Sequence, residues 1–436
     1  MKIKTAVKSY TEVLSMAPEK RKPVKKPSIL FRLLVRVLAF FELRKVKFSF
    51  TKHGMEKLGK KEPCLYLMNH SSFIDLKIAS AVIFPRPYNI VCTYDGFVGK
   101  RWLMRQLGCI PTGKFISDFS LVKDMGYALK KHKSSVLMYP EAGYSFDGTA
   151  TVLPDSLGRC VKLLGVPVVM IKTSGAVLRD PLYNNLQTRK VKVSADVEYI
   201  LSPKDIEEKT AAEINEIIGR CFTFDEFRSQ QESGTVVSEP FRADFLNRVL
   251  YKCPACLSEG STEGRGVTLA CKSCKKEYEL TETGFMRALN GETEFDHIPD
   301  WFKWQRECVK KEIENGEYLL DTPVKIAMLV NTRSLYMVGK GRLVHNADGF
   351  KLTDESGTVM YTQKPLSTYT LNSDYYWYEI GDVIGIGNKD VLYYCFPESE
   401  RDIVTKARLA AEELYKIARR AVRTGEESPL TNGDAH

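Results

Sequence analysis

Three observations predict a mosaic chain: an α/β domain with a mixed sheet flanked by helices, then a small four-cysteine ribbon, then a β-rich domain closed by one helix. Between Arg44 and Pro203 short apolar runs alternate with helical segments, the texture of an α/β layer. Cys253-Pro-Ala-Cys256 and Cys271-Lys-Ser-Cys274 are two CxxC knuckles separated by fourteen residues. From Tyr318 the texture changes to short alternating strands, and Asp402 then caps a helix through Arg420. With 44% hydrophobic and 27% charged residues in 436, the chain is globular rather than disordered or fibrous, and long enough for about three domains.

Residues 1–43 combine a basic arm with an amphipathic helix. Residues 1–50 hold thirteen Lys/Arg against three Asp/Glu, which accounts for the whole net charge of +10 and leaves the rest neutral. Such an arm favours an anionic surface. Residues 1–27 read as a Lys/Pro-rich leader, mobile at its start. Ser28 to Leu43, SILFRLLVRVLAFFEL, sets Arg32 and Arg36 one turn apart among Leu30, Phe31, Leu33, Leu34, Leu38, Phe40 and Phe41. That run is shorter than the ~20 residues of a spanning helix and is broken by two arginines. It is expected to lie in the plane of a membrane interface, basic side toward anionic lipids. The competing reading is a helix packed on the protein's own core. MKIKTAVKSYTEVLSMAPEK lacks the apolar core of a signal peptide, and the cysteines outside the knuckles are scattered among apolar segments as reduced thiols. The expected location is cytoplasmic, peripheral on the inner face of the membrane.

Residues 44–235 carry the chemistry. Candidate strands are Val46–Phe50, Cys64–Met68, Tyr88–Tyr94, Ser135–Tyr139, Pro167–Lys172 and Val191–Ile200; candidate helices are Phe73–Phe84, Lys100–Leu107, Phe119–His132 and Ser156–Leu164. Asp205 to about Ser233 reads as a closing polar helix and a linker. In PCLYLMNHSSFIDL a buried strand stops on Asn69-His70, and Ser71 or Ser72 can cap a helix beginning near Phe73. Asp75 then falls in or near the first helical turn, where a buried carboxylate would hold the imidazole in one tautomer and raise its basicity, as a general base needs. Alone, the spacing also fits a capped turn whose histidine satisfies backbone groups. Gly108-Cys-Ile-Pro-Thr-Gly-Lys114 is a glycine-bracketed loop ending in a cation. Tyr139-Pro-Glu-Ala-Gly-Tyr-Ser145 runs from a strand end into a small-residue turn, with Glu141 where α/β sheets gather ligands. Gly165 to Ile171 starts a further buried strand.

In order and spacing these segments resemble the glycerolipid acyltransferase superfamily, typified by enzymes acting on 1-acylglycerol-3-phosphate, over roughly Val46 to Leu201. The resemblance implies that His70 deprotonates an acceptor hydroxyl while Asp75 orients it, with no covalent acyl-enzyme. It implies substrate contacts from Asn69, Gly108, Lys114, Glu141, Gly143, Tyr144 and Ser145. The second block's arginine is here Lys114, which keeps the charge without the bidentate fork. In the third block Ala142 and Tyr144 stand where glycine and the phosphate-gripping arginine belong. The implied activity is transfer of a fatty acyl group from acyl-CoA or acyl-carrier-protein to the hydroxyl of a lysophospholipid in phospholipid biosynthesis. Alternatives are a different polar-lipid acceptor, or a non-catalytic membrane scaffold retaining the fold.

Four thiolates at the spacing of Cys253, Cys256, Cys271 and Cys274 can close a tetrahedron around a structural zinc, in a zinc ribbon at 248–282. Residues 283–317, with Trp301 and Trp304, read as a helical connector. In 318–421 the strands VKIAMLV, SLYMVG, GRLVHN, GFKLTD, TVMYTQ, STYTLN, YYWYEIG and VLYYCFP precede the terminal helix, a pattern similar to a pleckstrin-homology-like domain. Residues 422–436 read as a disordered tail. Expected partners are an anionic membrane surface, the acyl carrier, a lysolipid, and a protein docking on the ribbon or β domain; nucleic acid is not expected.

Overall fold

The structure, a computed structural model, describes residues 2–17, 19, 21–114, 119–399 and 401–424. It divides into two compact units: Met1–Glu19, Leu182–Asn185 and Ser238–His436 form unit 1, and Lys20–Pro181 with Leu186–Val237 form unit 2. The chain opens in unit 1 with β1 (Thr5–Val7) and α1 (Tyr10–Leu14).

Unit 2 then runs through α2 (Ile29–Lys45), β2 (Ser49–His53), β3 (Leu65–Met68), α3 (Asp75–Ile83), β4 (Tyr88–Thr93), α4 (Tyr94–Phe97), α5 (Arg101–Gln106) and β5 (Cys109–Thr112). It continues with α6 (Phe119–Lys130), β6 (Ser135–Met138), α7 (Leu157–Leu164), β7 (Val168–Ser174), α8 (Ala176–Arg179) and β8 (Ser194–Leu201). Three helices close it: α9 (Pro203–Glu208), α10 (Ala211–Cys221) and α11 (Glu226–Ser233). The sheet order is β2-β8-β7-β3-β6-β4-β5, parallel except for the β7–β8 pair. The central strand β3 is covered on both faces, as parallel strands must be. Its Tyr66 and Met68 join a core with Ala39, Leu43, Ile78 and Ala79 of α2 and α3, whereas Leu65 and Leu67 face Leu129, Val161 and Ile218 of α6, α7 and α10.

Three local readings differ from the sequence expectation. Cys109–Thr112 is a strand and not a loop, because it finds a parallel partner in β4. The expected single closing helix is three, because Ser202 with Asp205 and Thr210 with Glu213 form capping boxes and Asp225 caps α11. Finally, α2 turns its arginines the other way. Ala39 and Leu43 are buried, Arg32 donates to the Pro85 carbonyl, and Arg36 is half-buried. The outward face is the apolar one: Ile29 is 71% exposed, Leu38 58% and Phe41 61%. No described helix is long and apolar enough to cross a membrane.

In unit 1 the ribbon is an antiparallel sheet, β12-β11-β10-β9, built from β9 (Thr262–Arg265), β10 (Thr268–Cys271), β11 (Glu277–Leu280) and β12 (Met286–Ala288); it therefore extends past residue 282. The connector is α12 (Ile298–Glu314). Then come β13 (Leu320–Leu329), β14 (Leu335–Asn346), β15 (Gly349–Asp354), β16 (Val359–Gln363), β17 (Asn372–Trp377), β18 (Gly381–Gly387), β19 (Leu392–Pro397) and α13 (Val404–Thr424). These seven strands are antiparallel in the order β16-β15-β14-β13-β19-β18-β17. The expected mobile leader is instead folded onto them. β1 pairs in parallel with β14, Val13 is fully buried, and the Glu19 carboxylate accepts from Thr332 N at 2.9 Å and Oγ1 at 2.6 Å. The tail beyond Thr424 lies outside the described residues.

Candidate active site

The carboxyl ends of β3, β6 and β7 converge on one turn. Asn69 and His70 follow β3 directly, Glu141 lies just past β6, and Gly175 follows β7. His70 Nδ1 lies 3.0 Å from Asp75 Oδ2, the pair five residues apart that the sequence singled out. The same oxygen accepts the backbone N–H groups of Ser71 at 2.8 Å and Ser72 at 3.1 Å. Asp75 is thus the hub of the turn, and α3 begins at Asp75 itself and not near Phe73. With Nδ1–H given to the carboxylate, Nε2 keeps its lone pair. The imidazole side chain is 22% exposed while that of Asp75 is 2% exposed, so the ring is reachable and the carboxylate is not.

The remaining predicted residues divide by what they touch. Asn69 is buried and fully engaged: Nδ2 donates to Ser71 Oγ, and Oδ1 accepts from Thr173 N and Oγ1, tying β3 to β7. Glu141 Oε2 accepts the His70 backbone N–H at 2.7 Å, and its Oε1 accepts Thr151 N and Oγ1 at 3.0 and 3.1 Å. Burial pushes its carboxyl up while these donors pull it down, so it braces the histidine turn. Ala142 sits at φ +51°, the left-handed region that a glycine adopts without strain. Gly143 is buried in the turn. Ser145 Oγ donates to Thr149 O and accepts from Gly148 N, closing the loop upon itself. Tyr144 lies on the imidazole, ring centroids 3.9 Å apart at 29°. Gly108 does not open toward a ligand: at φ +79° an added Cβ would lie 2.9 Å from Pro27 Cβ, so its glycine admits the passing 20s segment. Lys114 is half-buried at the turn after β5.

Several residues of the site had no local sequence signal. Tyr139 stacks on the other face of His70 at 4.4 Å and 30°. Asp180 accepts from Ser72 Oγ at 2.6 Å and pairs with Arg179; burial raises it to about 6, against the pull of both partners. Glu226 accepts from Gly175 N at 2.6 Å, and burial raises it to about 7. A partly open, mostly apolar cavity of about 80 Å³ lies beside α3, lined by Val35, Leu76, Tyr88, Ile90, Met104 and Cys109 among others.

Residues 49–173, which contain His70, Asp75 and Glu141, match the family model described as Acyltransferase. That stretch is an acyltransferase domain. Among solved structures, the chain is similar to the 1-acyl-sn-glycerophosphate (LPA) acyltransferase PlsC of Thermotoga maritima, at 17% identity and a TM-score of 0.34, covering 44% of this chain and 78% of that one. No curated protein sequence matches the chain.

The second site is in unit 1. Cys253, Cys256, Cys271 and Cys274 bring their four sulfurs within 4.8 Å of one another. The Cys253–Cys274 and Cys256–Cys271 separations are 3.7 Å, close to the ~3.8 Å edge of a tetrahedron with Zn–S bonds of about 2.3 Å. Backbone N–H groups of Ala255 and Cys256 point to the Cys253 sulfur, and those of Ser273 and Cys274 to Cys271. Donors so placed favour thiolates over thiols. The arrangement fits a divalent metal such as zinc.

Proposed function

We propose that the acyltransferase domain moves a fatty acyl group from a thioester, acyl-CoA or acyl-carrier-protein, to a lipid hydroxyl at a membrane surface. The observation that carries the reading is the His70–Asp75 pair at 3.0 Å, its base part-exposed and its carboxylate sealed. Nε2 takes the proton of the acceptor hydroxyl as its oxygen attacks the thioester carbonyl. The tetrahedral adduct then expels the thiolate, which recovers that proton, leaving an ester and a free thiol. Asp75 holds the ring in the required tautomer and stabilises the transient imidazolium. Acyl transfer by direct attack needs no nucleophilic serine or cysteine, in keeping with the buried, hydrogen-bonded setting of Ser71 and Ser72. The cavity beside α3 is suited to the first carbons of an acyl chain.

Membrane contact is supported by the outward apolar face of α2 and by Trp102 of α5, 66% exposed, whose ring meets Phe31 edge-on. In unit 1, Cys253, Cys256, Cys271 and Cys274 would hold zinc with no open position, so the metal would shape the ribbon and take no part in transfer.

Thiol release from palmitoyl-CoA by the full chain on vesicles containing lipid alcohols tests the reading. His70→Ala should reduce acceptor-dependent release by roughly 10²–10⁴-fold, the usual contribution of a general base. Equal background release from both proteins would favour a non-catalytic scaffold.

A further inference from the structure

The wall around His70 is aromatic on its faces and lined with buried carboxyl groups behind. Tyr139, His70, Tyr144 and Phe73 form one pile of near-parallel rings, with successive centroids 4.4, 3.9 and 5.6 Å apart and interplanar angles of 30°, 29° and 22°. Phe73, at the outer end, is 46% exposed, so the pile runs from the end of β6 out to solvent. Both faces of the imidazole are covered, which leaves its edge for an incoming hydroxyl. Behind the turn lie Asp75, Glu141, Asp180 and Glu226, all buried. The cations joined to this network are already engaged: Arg179 pairs with Asp180 and Glu42, and Lys77 pairs with Glu42. Arg179 and Lys77 are thus committed to Asp180 and Glu42.

A phosphate monoester next to the reacting hydroxyl would bring a charge of nearly −2 into this setting. Recognition of such a group needs charge-assisted donors, and Arg179 and Lys77 are spoken for. Rings stacked this way instead present apolar edges and faces to the carbon skeleton of a polyol. We propose that Tyr144 sets the acceptor class, and that the site takes the hydroxyl of an uncharged head group, a glycerol or sugar borne on an alkyl or acyl chain, in preference to a phosphate monoester. This inference rests on the acyl-transfer reading above and gives it an acceptor. Tyr144 contributes by position: its ring fills the space beside the base and admits only a neutral neighbour. Lys114, past β5 at the same end of the sheet, is the residue on which a phosphate acceptor would have to depend.

The test compares monoacylglycerol, an alkyl glucoside and lysophosphatidate as acceptors for the full chain, with palmitoyl-CoA as donor. Wild-type kcat/KM should favour at least one neutral acceptor over lysophosphatidate by about tenfold or more. The two neutral arms tell glycerol from sugar. Tyr144→Arg should shrink that ratio by about tenfold, chiefly through KM for lysophosphatidate, because an arginine supplies the missing fork. Lys114→Gln should leave the wild-type ratio alone. Equal or better use of lysophosphatidate by the wild type overturns the proposal. So does an unchanged ratio in Tyr144→Arg with turnover still dependent on His70, or a selective loss of lysophosphatidate use in Lys114→Gln. If no acceptor is turned over above the His70→Ala background, acyl transfer itself fails. Equilibrium binding of each acceptor to the His70→Ala chain, below micellar concentration, then decides the acceptor class separately: neutral must bind more tightly than phosphate.

Discussion

Asp75 shows why part of the site can be read from the chain and part cannot. A strand end and the first turn of the next helix lie close whatever surrounds them, so five residues suffice to place a carboxylate on an imidazole. Tyr139 and Tyr144 reach the same ring only because β6 runs parallel to β3, a pairing no local pattern announces. Asp180 and Glu226 come from still farther along the chain and look like ordinary polar residues in the sequence. Glu226 offers a pH test. Burial raises it from 4.5 to about 7; the Gly175 N–H opposes this, and Asp225 and Asp75 add to it. The fold therefore favours the protonated acid. That contribution is complete below about pH 4.5 and is lost as pH rises through about 7. Glu226→Gln keeps an acceptor for Gly175 and carries no charge to bury. It should raise the unfolding temperature of unit 2 by several degrees at pH 8, from at most about 3 kcal/mol, and hardly at all at pH 4.5. A rise of equal size at both pH values would show that ionisation is not the cause.

Among elements, those with a strict pattern were the legible ones. The two knuckles gather as their spacing implies, and the apolar spacing of the last helix, Ala407, Ala411, Leu414 and then Ile417 or Ala418, is buried along α13 with Ala418 and not Ile417 as its buried fourth member. Glycine misled the reading elsewhere. SLYMVG and GRLVHN are one strand, β14, which continues through Gly339 and Gly341 with a bulge opposite Ile326 and Ala327. GDVIGIG, not among the expected strands, is β18 between β17 and β19. The ribbon's four short strands enclose little apolar area, so metal must supply much of their stability. Purified protein should carry one zinc per chain. Cys271→Ser or a strong chelator should remove it and expose residues 253–288 to protease, read by mass spectrometry of the cut sites. Protease resistance unchanged after complete metal loss would rule out a structural metal.

At the scale of the whole molecule, the charge excess of residues 1–50 is shared between two bodies. Lys2, Lys4 and Lys8 belong to the segment folded with β14 in unit 1, whereas Arg44, Lys45 and Lys47 flank the apolar face of α2 in unit 2. Composition located the charge correctly but could not show that half of the presumed arm is a strand and a helix, because β1 needs an edge made more than three hundred residues later. The α2 face predicts binding to anionic vesicles. Replacing Phe40 and Phe41 together by serine should abolish flotation with phosphatidylglycerol vesicles, and raising salt should weaken the wild type only in part, since apolar burial persists when charge is screened. Flotation indifferent to both aromatics would reassign that face. The parallel pairing of Thr5–Val7 with Leu335–Met337 also dictates an order of events during synthesis. A ribosome adding about 5–20 residues each second takes roughly 16–65 s to travel from one partner to the other. For that interval the first strand has nothing to hold, while unit 2 behind it is already able to fold.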